Sequence, residues 1–163
     1  MKKLWEKYRE IIVYIIVGLM TTVVSYGVRL GIMYGGAALL SVDLNADHGV
    51  ATVIRTVAIS FGWVAGVLFA FFTNKKWVFR DTVSGKTAVS VQFGKFVASR
   101  ISTFFVEWGI GALVPVLLIA CGYRPFHFVI DVTADIIATA VSIVIVTVLN
   151  YILSKLLVFK KKK

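Results

Sequence analysis

The sequence predicts an all-α integral membrane protein: four transmembrane helices as two helical hairpins in a parallel repeat, with both termini cytoplasmic. Three observations predict it. The 163-residue chain is 59% hydrophobic and charged at 16% of positions, with a mean hydropathy of +0.89. A soluble domain of that length cannot bury so much apolar surface, so the implied solvent is lipid. The charges are segregated as well: of the 18 basic residues, 4 fall in Lys2 to Arg9, 5 in Lys75 to Lys95 and 5 in Lys155 to Lys163. Finally, two apolar runs close on related segments, "TNKKWVFR" at 73–80 and "LSKLLVFK" at 153–160.

The elements follow from the uncharged runs. Ile11–Val28, Thr56–Thr73, Ile101–Tyr123 around Glu107, and Ile136–Ser154 each approach the ~20 residues a helix needs to cross ~30 Å of hydrocarbon. Extended to their flanks, they predict helices over about 11–37, 50–74, 93–121 and 128–156, in one transmembrane domain spanning 1–163. The loop 80–95 is the largest feature outside the membrane. The connections after the first and third runs carry Asp43, Asp47, Asp131 and a single Arg, Arg124. By the positive-inside bias, the basic segments lie in the cytoplasm and these connections outside, in the cytoplasmic membrane. The net charge of +10 is thereby read as topology, and nucleic acid is not an expected partner.

Several classes are excluded. The first apolar run is too long for a signal-peptide core and no small-residue cleavage site follows it. A single cysteine, Cys121, forms no intrachain disulfide and no Cys-based metal site. His48 and His127 sit in external connections and read as interfacial polar residues rather than ligands. No nucleophile elbow and no phosphate-cradling glycine loop occur, so neither an enzyme nor a cofactor is expected.

The closing segments align as an internal repeat. Lys75, Val78 and Phe79 match Lys155, Val158 and Phe159, Arg80 stands opposite Lys160, and Tyr14 and Phe96 open the first helix of each hairpin. Interfacial anchoring explains part of the pattern, with Lys snorkelling to headgroups and Trp77 at the interface. With "YIIVGLMTT" (14–22), "AFFTNKKWVF" (70–79), "FVASR" (96–100) and "NYILSKLLVF" (150–159), the chain resembles the GtrA-like family of small four-helix membrane proteins. It departs at Leu157, where an aromatic is often found, and at Val13, where a basic residue often precedes the aromatic. The resemblance implies work on polyprenyl-phosphate-linked sugars for cell-surface polysaccharide glycosylation. That work is either flipping a lipid-linked monosaccharide across the membrane or, as a non-transporting subunit, anchoring or orienting a glycosyltransferase.

Ionisable residues inside a bilayer cost about 2.5 kcal/mol or more, so each needs a reason. Arg100 falls two turns inside helix 3, and Glu107 follows seven residues later on the same face, with Thr103 between them. Arg29 nears the outer end of helix 1, Arg55 opens helix 2, and Asp135 is its repeat equivalent in helix 4. Asp135 continues through Thr139 and Ser142 to Asn150. Gly62, Gly66, Ala70 and Asn74 make a small-residue face on helix 2. Some have structural readings: close packing for the glycines, an ion pair for Arg55 with Asp135, and snorkelling for Arg29.

The candidate substrate-binding set is Arg100, Glu107, Asn74, Lys75, Lys76, Trp77, Asn150, Lys155, Arg29, Arg55 and Asp135. A lipid-linked sugar has a tail at home in lipid and an anionic head that is not. Lys75, Lys76 and Lys155 would meet the phosphate, guanidinium forks would carry it inward, and Glu107 would exchange a proton or hold Arg100 in place. Four helices enclose little space, so a homodimer or a complex with a glycosyltransferase is expected.

Overall fold

The computed structural model describes residues 2–43, 48–127 and 131–159, with side chains described for most of them. Asp47 and the terminal lysines 160–163 lie outside this set, as do the side chains of His48, His127 and Asp131. Apart from one two-residue ladder the described chain is helical, a membrane protein with four helical stretches among the described residues long and apolar enough to span a bilayer: Tyr8–Leu40, Gly49–Val78, Lys86–Ala120 and Ala134–Val158. The shortest has 25 residues, about 38 Å of helix, against about 30 Å of hydrocarbon.

The elements are α1 (Lys2–Leu40), α2 (His48–Thr73), α3 (Lys86–Ala120), β1 (Phe126–His127), β2 (Asp131–Val132) and α4 (Ala134–Leu153). Both α2 and α4 run directly into a π-helical turn, Asn74–Val78 and Ser154–Val158 respectively. The two segments aligned as a repeat thus share one uncommon conformation. Phe79 N–H donates to the Asn74 carbonyl at 2.9 Å, and Phe159 N–H to the Ser154 carbonyl at 2.8 Å. Each bond spans five residues rather than four, the wider ring of a π-turn. After the first turn Arg80 takes φ 49, in the left-handed region. That reversal lets Asp81 N–H reach back to the Lys75 carbonyl at 2.9 Å and closes the helix end.

The bounds differ from the sequence expectation in three places. α1 extends to Lys2 and Leu40, and α3 starts at Lys86 rather than near 93. Apolar runs mark only the lipid-embedded part of a helix, and hydrogen bonding continues through polar residues beyond it. Helix 4 was expected from 128, but α4 begins at Ala134, capped by Thr133, whose hydroxyl accepts from Ile136 N–H at 3.3 Å. Ahead of it Phe126 pairs with Val132 and His127 with Asp131 in a short antiparallel ladder.

The chain divides into two compact units, Met1–Thr82 and Val83–Lys163, each a helical hairpin. In the first, α2 buries Ala51, Ile54, Ala58, Gly62, Gly66 and Ala70, spaced three or four apart along one face. That face lies on α1 with backbones close together. A Cβ on Gly62 would sit 2.8 Å from the Ser25 carbonyl oxygen and 3.1 Å from Arg29 Cβ, and one on Gly66 would strike the Ser25 hydroxyl. The expected small-residue packing of this face is present. In the second hairpin the equivalent seam is polar. Thr103, Ser142 and Asn150 are buried in it, and the Thr103 hydroxyl donates to Asn150 Oδ1 at 2.9 Å.

Candidate functional site

The basic end of each hairpin is built around its π-turn. In the first, Arg9 Nη2 on α1 donates to the Trp77 carbonyl at 2.9 Å. In the second, Gln92 Nε2 on α3 donates to the Val158 carbonyl at 3.2 Å. A helix end leaves carbonyls without intrahelical donors, and a side chain from the neighbouring helix supplies one in each case. Tyr14 and Phe96, the aromatics that mark the two first helices, are both buried, and Phe96 lies 6.3 Å from the Phe159 ring. The repeat thus consists of a buried aromatic, a donor to the turn and the π-turn itself.

The lysines of the two turns have different partners. Lys75 Nζ is 2.6 Å from Asp81 Oδ2, and both side chains are largely buried, at 15% and 6% exposure. Lys155 Nζ is exposed and donates to the Tyr151 hydroxyl at 3.0 Å, above the same ring. Lys76 and Trp77 face outward. Asn74 and Ser154, which open the two turns, are buried at 2% and 0% exposure. Asn74 Oδ1 and Ser154 Oγ have no hydrogen-bond partner among the described residues. The widened turns therefore place a buried polar atom at equivalent positions of both hairpins.

Beside the second turn runs a groove of about 300 Å³ lined by Lys95, Ala98, Ser99, Ser102, Leu153 and Leu157. Its hydroxyls donate backward within α3, Ser99 to the Phe96 carbonyl at 2.7 Å and Ser102 to the Ala98 carbonyl at 2.9 Å. Sequence reasoning placed Lys95 where the loop 80–95 overlaps the helix expected from 93 and did not choose it as a candidate. Its contribution is visible only in the groove that α3 and α4 form together.

Arg100 and Glu107 share a helix face but reach different surroundings. The Arg100 guanidinium sits 4.7 Å from the Phe96 ring centroid, one turn back toward the start of α3. Glu107 lines a second cleft with Gly111, Asp135, Ala138, Thr139 and Ser142. The polar stripe of helix 4 thus meets Glu107, which brings two of the sequence candidates, Glu107 and Asp135, to one cleft, with Asn150 further along the same seam. Arg55 is exposed on α2 and belongs to the first unit, whereas Asp135 belongs to the second. Arg29 stacks on Tyr26 at 5.7 Å, while its backbone and Cβ press on Gly62.

Comparison with known proteins agrees with this architecture. The profile of the GtrA/DPMS transmembrane domain family matches residues 13–159. The chain is 31% identical over 158 residues, 97% of its length and 90% of the relative's, to the cell wall teichoic acid glycosylation protein GtcA of Listeria monocytogenes. It is 33% identical over 121 residues, 74% of its length and 69% of the relative's, to the GtcA protein of Listeria innocua. It is also 28% identical over 150 residues, 92% and 96% of the two lengths, to the membrane protein YwcD of Bacillus subtilis. No solved structure matches. With nearly the whole length between the first buried aromatic and the second π-turn covered by one family profile, the chain belongs to the GtrA/DPMS transmembrane domain family.

Proposed function

We propose that the protein serves glycosylation of a cell-surface polymer by flipping a polyprenyl-phosphate-linked monosaccharide across the cytoplasmic membrane. Relatives named for cell wall teichoic acid glycosylation support the general role. The observation that carries the finer reading is the groove beside the second π-turn. Ala98, Leu153 and Leu157 give it apolar walls, Ser99 and Ser102 bring hydroxyl oxygens, and Lys95 brings an ammonium. Those groups suit an amphiphile with a greasy tail, a hydroxylated sugar and one phosphate. In this reading Lys95 and Lys155 meet the phosphate, Arg100 follows deeper in α3, and Lys75 stays engaged with Asp81 to hold the first turn. The basic ends lie in the cytoplasm, where the lipid-linked sugar is loaded, and a homodimer or a glycosyltransferase completes the walls.

The test is transbilayer movement of a fluorescent polyprenyl-phosphate sugar in liposomes containing the purified protein. Movement is expected with wild type and should slow about tenfold or more in Lys95→Gln/Lys155→Gln, with unchanged insertion. No movement with wild-type protein would overturn flipping. It would favour a subunit that anchors or orients a glycosyltransferase, which should then co-purify with it.

A further inference from the structure

Most charged side chains of the four spans sit near an end, where water or headgroups serve them. Among the described residues three lie more than about 15 Å along the helix from both ends of their span: Arg29, Arg100 and Glu107. Arg100 rests over the Phe96 ring and has a role in the transport reading above. Arg29 and Glu107 have neither a counter-ion nor a hydrogen bond among the described residues. A bare charge at that depth is costly, so each calls for a partner of opposite sign.

Neither charge is relieved by reaching the membrane surface. Glu107 is exposed on α3, about 20 Å of helix from Ala120 and farther still from Lys86, and its side chain is too short to snorkel. Arg29 is long enough to snorkel, as the sequence led us to expect, but it turns the other way. Its guanidinium lies 5.7 Å from the ring of Tyr26, three residues back from the Leu40 end, so it leans deeper into the span. Its Cβ is pressed against Gly62, which fixes the point from which it reaches. Tyr26 is 54% exposed, so the guanidinium sits beside a face that a neighbour can cover.

We propose that two copies of the chain pair through these charges, Arg29 of each copy meeting Glu107 of the other. Depth selects the partners. With four crossings, Leu40 and Ala120 end on the same side of the membrane, and Arg29 lies about 17 Å from the first while Glu107 lies about 20 Å from the second. A two-fold axis along the membrane normal keeps every residue at its own depth, so the two levels differ by about 3 Å, which an arginine easily spans. Arg100 of a second copy would lie about 10 Å off the level of Glu107. The same symmetry makes the contact twice, and a guanidinium fork on a carboxylate is the strong form of such a pair. Gly111, one turn beyond Glu107, has nothing within 4 Å of where a Cβ would lie, so a partner helix can come close there. A second copy satisfies both charges at once, whereas a different protein would have to bring an acid and a base of its own. The pairing stands whether or not the transport reading holds.

The experiment follows energy transfer between donor-labelled and acceptor-labelled full-length chains in liposomes of uncharged lipid. Wild-type chains are expected to associate with one another. Glu107→Arg and Arg29→Glu should each weaken self-association about tenfold or more, because like charges then face each other. Mixed together, the two variants should associate with each other about as well as wild type, since each supplies the charge that the other lacks. Pairing inside one chain could not produce that exchange. If either reversal fails to insert, Arg29→Cys and Glu107→Cys on separate chains, in a Cys121→Ser background, should be joined by a short bifunctional thiol reagent. Wild-type chains that stay monomeric at every density, reversed chains with no preference for each other, or cross-linking confined to chains carrying both cysteines would overturn the pairing.

Discussion

Substituting Gly62 with alanine tests how the first hairpin is held together. The new Cβ would lie 2.8 Å from the Ser25 carbonyl oxygen, 3.1 Å from Arg29 Cβ and 3.6 Å from Arg29 Cα. Comfortable contact begins at about 3.5 Å, so α1 and α2 must separate locally by roughly 0.7 Å, because a backbone oxygen cannot rotate aside. Overpacking of this kind costs about 1–3 kcal/mol. The usual gain from replacing a helical glycine offsets little of it, because separated transmembrane helices remain helical in the bilayer. Gly66→Ala meets a different obstacle, the Ser25 hydroxyl, with Ser25 Cβ at 3.3 Å, a few tenths of an ångström short of ordinary contact. The assay is reversible unfolding in mixed detergent micelles, with Gly18→Ala, which meets nothing within 4 Å, as the control. Ser25→Ala should rescue Gly66→Ala and leave Gly62→Ala destabilised. Wild-type stability of Gly62→Ala, or equal rescue of both, would refute close backbone packing as the fastening of this hairpin.

Other outcomes are expected from the same structure. Asp81→Asn puts a neutral amide in place of the carboxylate 2.6 Å from the Lys75 ammonium in a largely buried site and should lower unfolding stability by about 1–3 kcal/mol. Adding Lys75→Gln should recover part of that loss. Thr103→Val and Asn150→Leu should each destabilise the second hairpin, with a coupling of about 0.6–1.7 kcal/mol in a double-mutant cycle. A coupling near zero would remove their 2.9 Å bond from the account of its stability. In a Cys121→Ser background, cysteines at Ser41 and Ser84 should react with impermeant maleimide from opposite sides of the membrane. Labelling of both from one side would contradict the proposed topology.

Much of the fold was legible because lipid imposes a simple rule, that long uncharged runs become helices. The repeat was legible at Lys75, Val78 and Phe79 against Lys155, Val158 and Phe159, although the sequence could not reveal its conformation. A π-turn differs from an α-turn by one residue per ring, and side-chain periodicity over five positions does not resolve that difference. The cleft lined by Glu107 and Asp135 was half legible. Asp135, Thr139 and Ser142 formed a stripe on α4, but Glu107 was matched to Arg100 because seven residues return to one helix face. Side chains on a helix lean toward its N-terminus, which carries Arg100 to Phe96. Lys75 shows the same limit: Asp81, its partner, lies beyond a left-handed residue that no hydropathy pattern announces.

The contrast between the two seams bears on where solvent can enter. Glycine backbones pressed on Ser25 and Arg29 leave little between α1 and α2 for water to bind. The α3–α4 seam is different. Thr103 and Asn150 can trade their mutual bond for bonds to water at small net cost, and Glu107, Asp135 and Ser142 offer further acceptors along the same line. Two hairpins with matching ends therefore differ along their seams, one dry and one able to wet. A polar head group crossing a bilayer would keep its hydration only along the second.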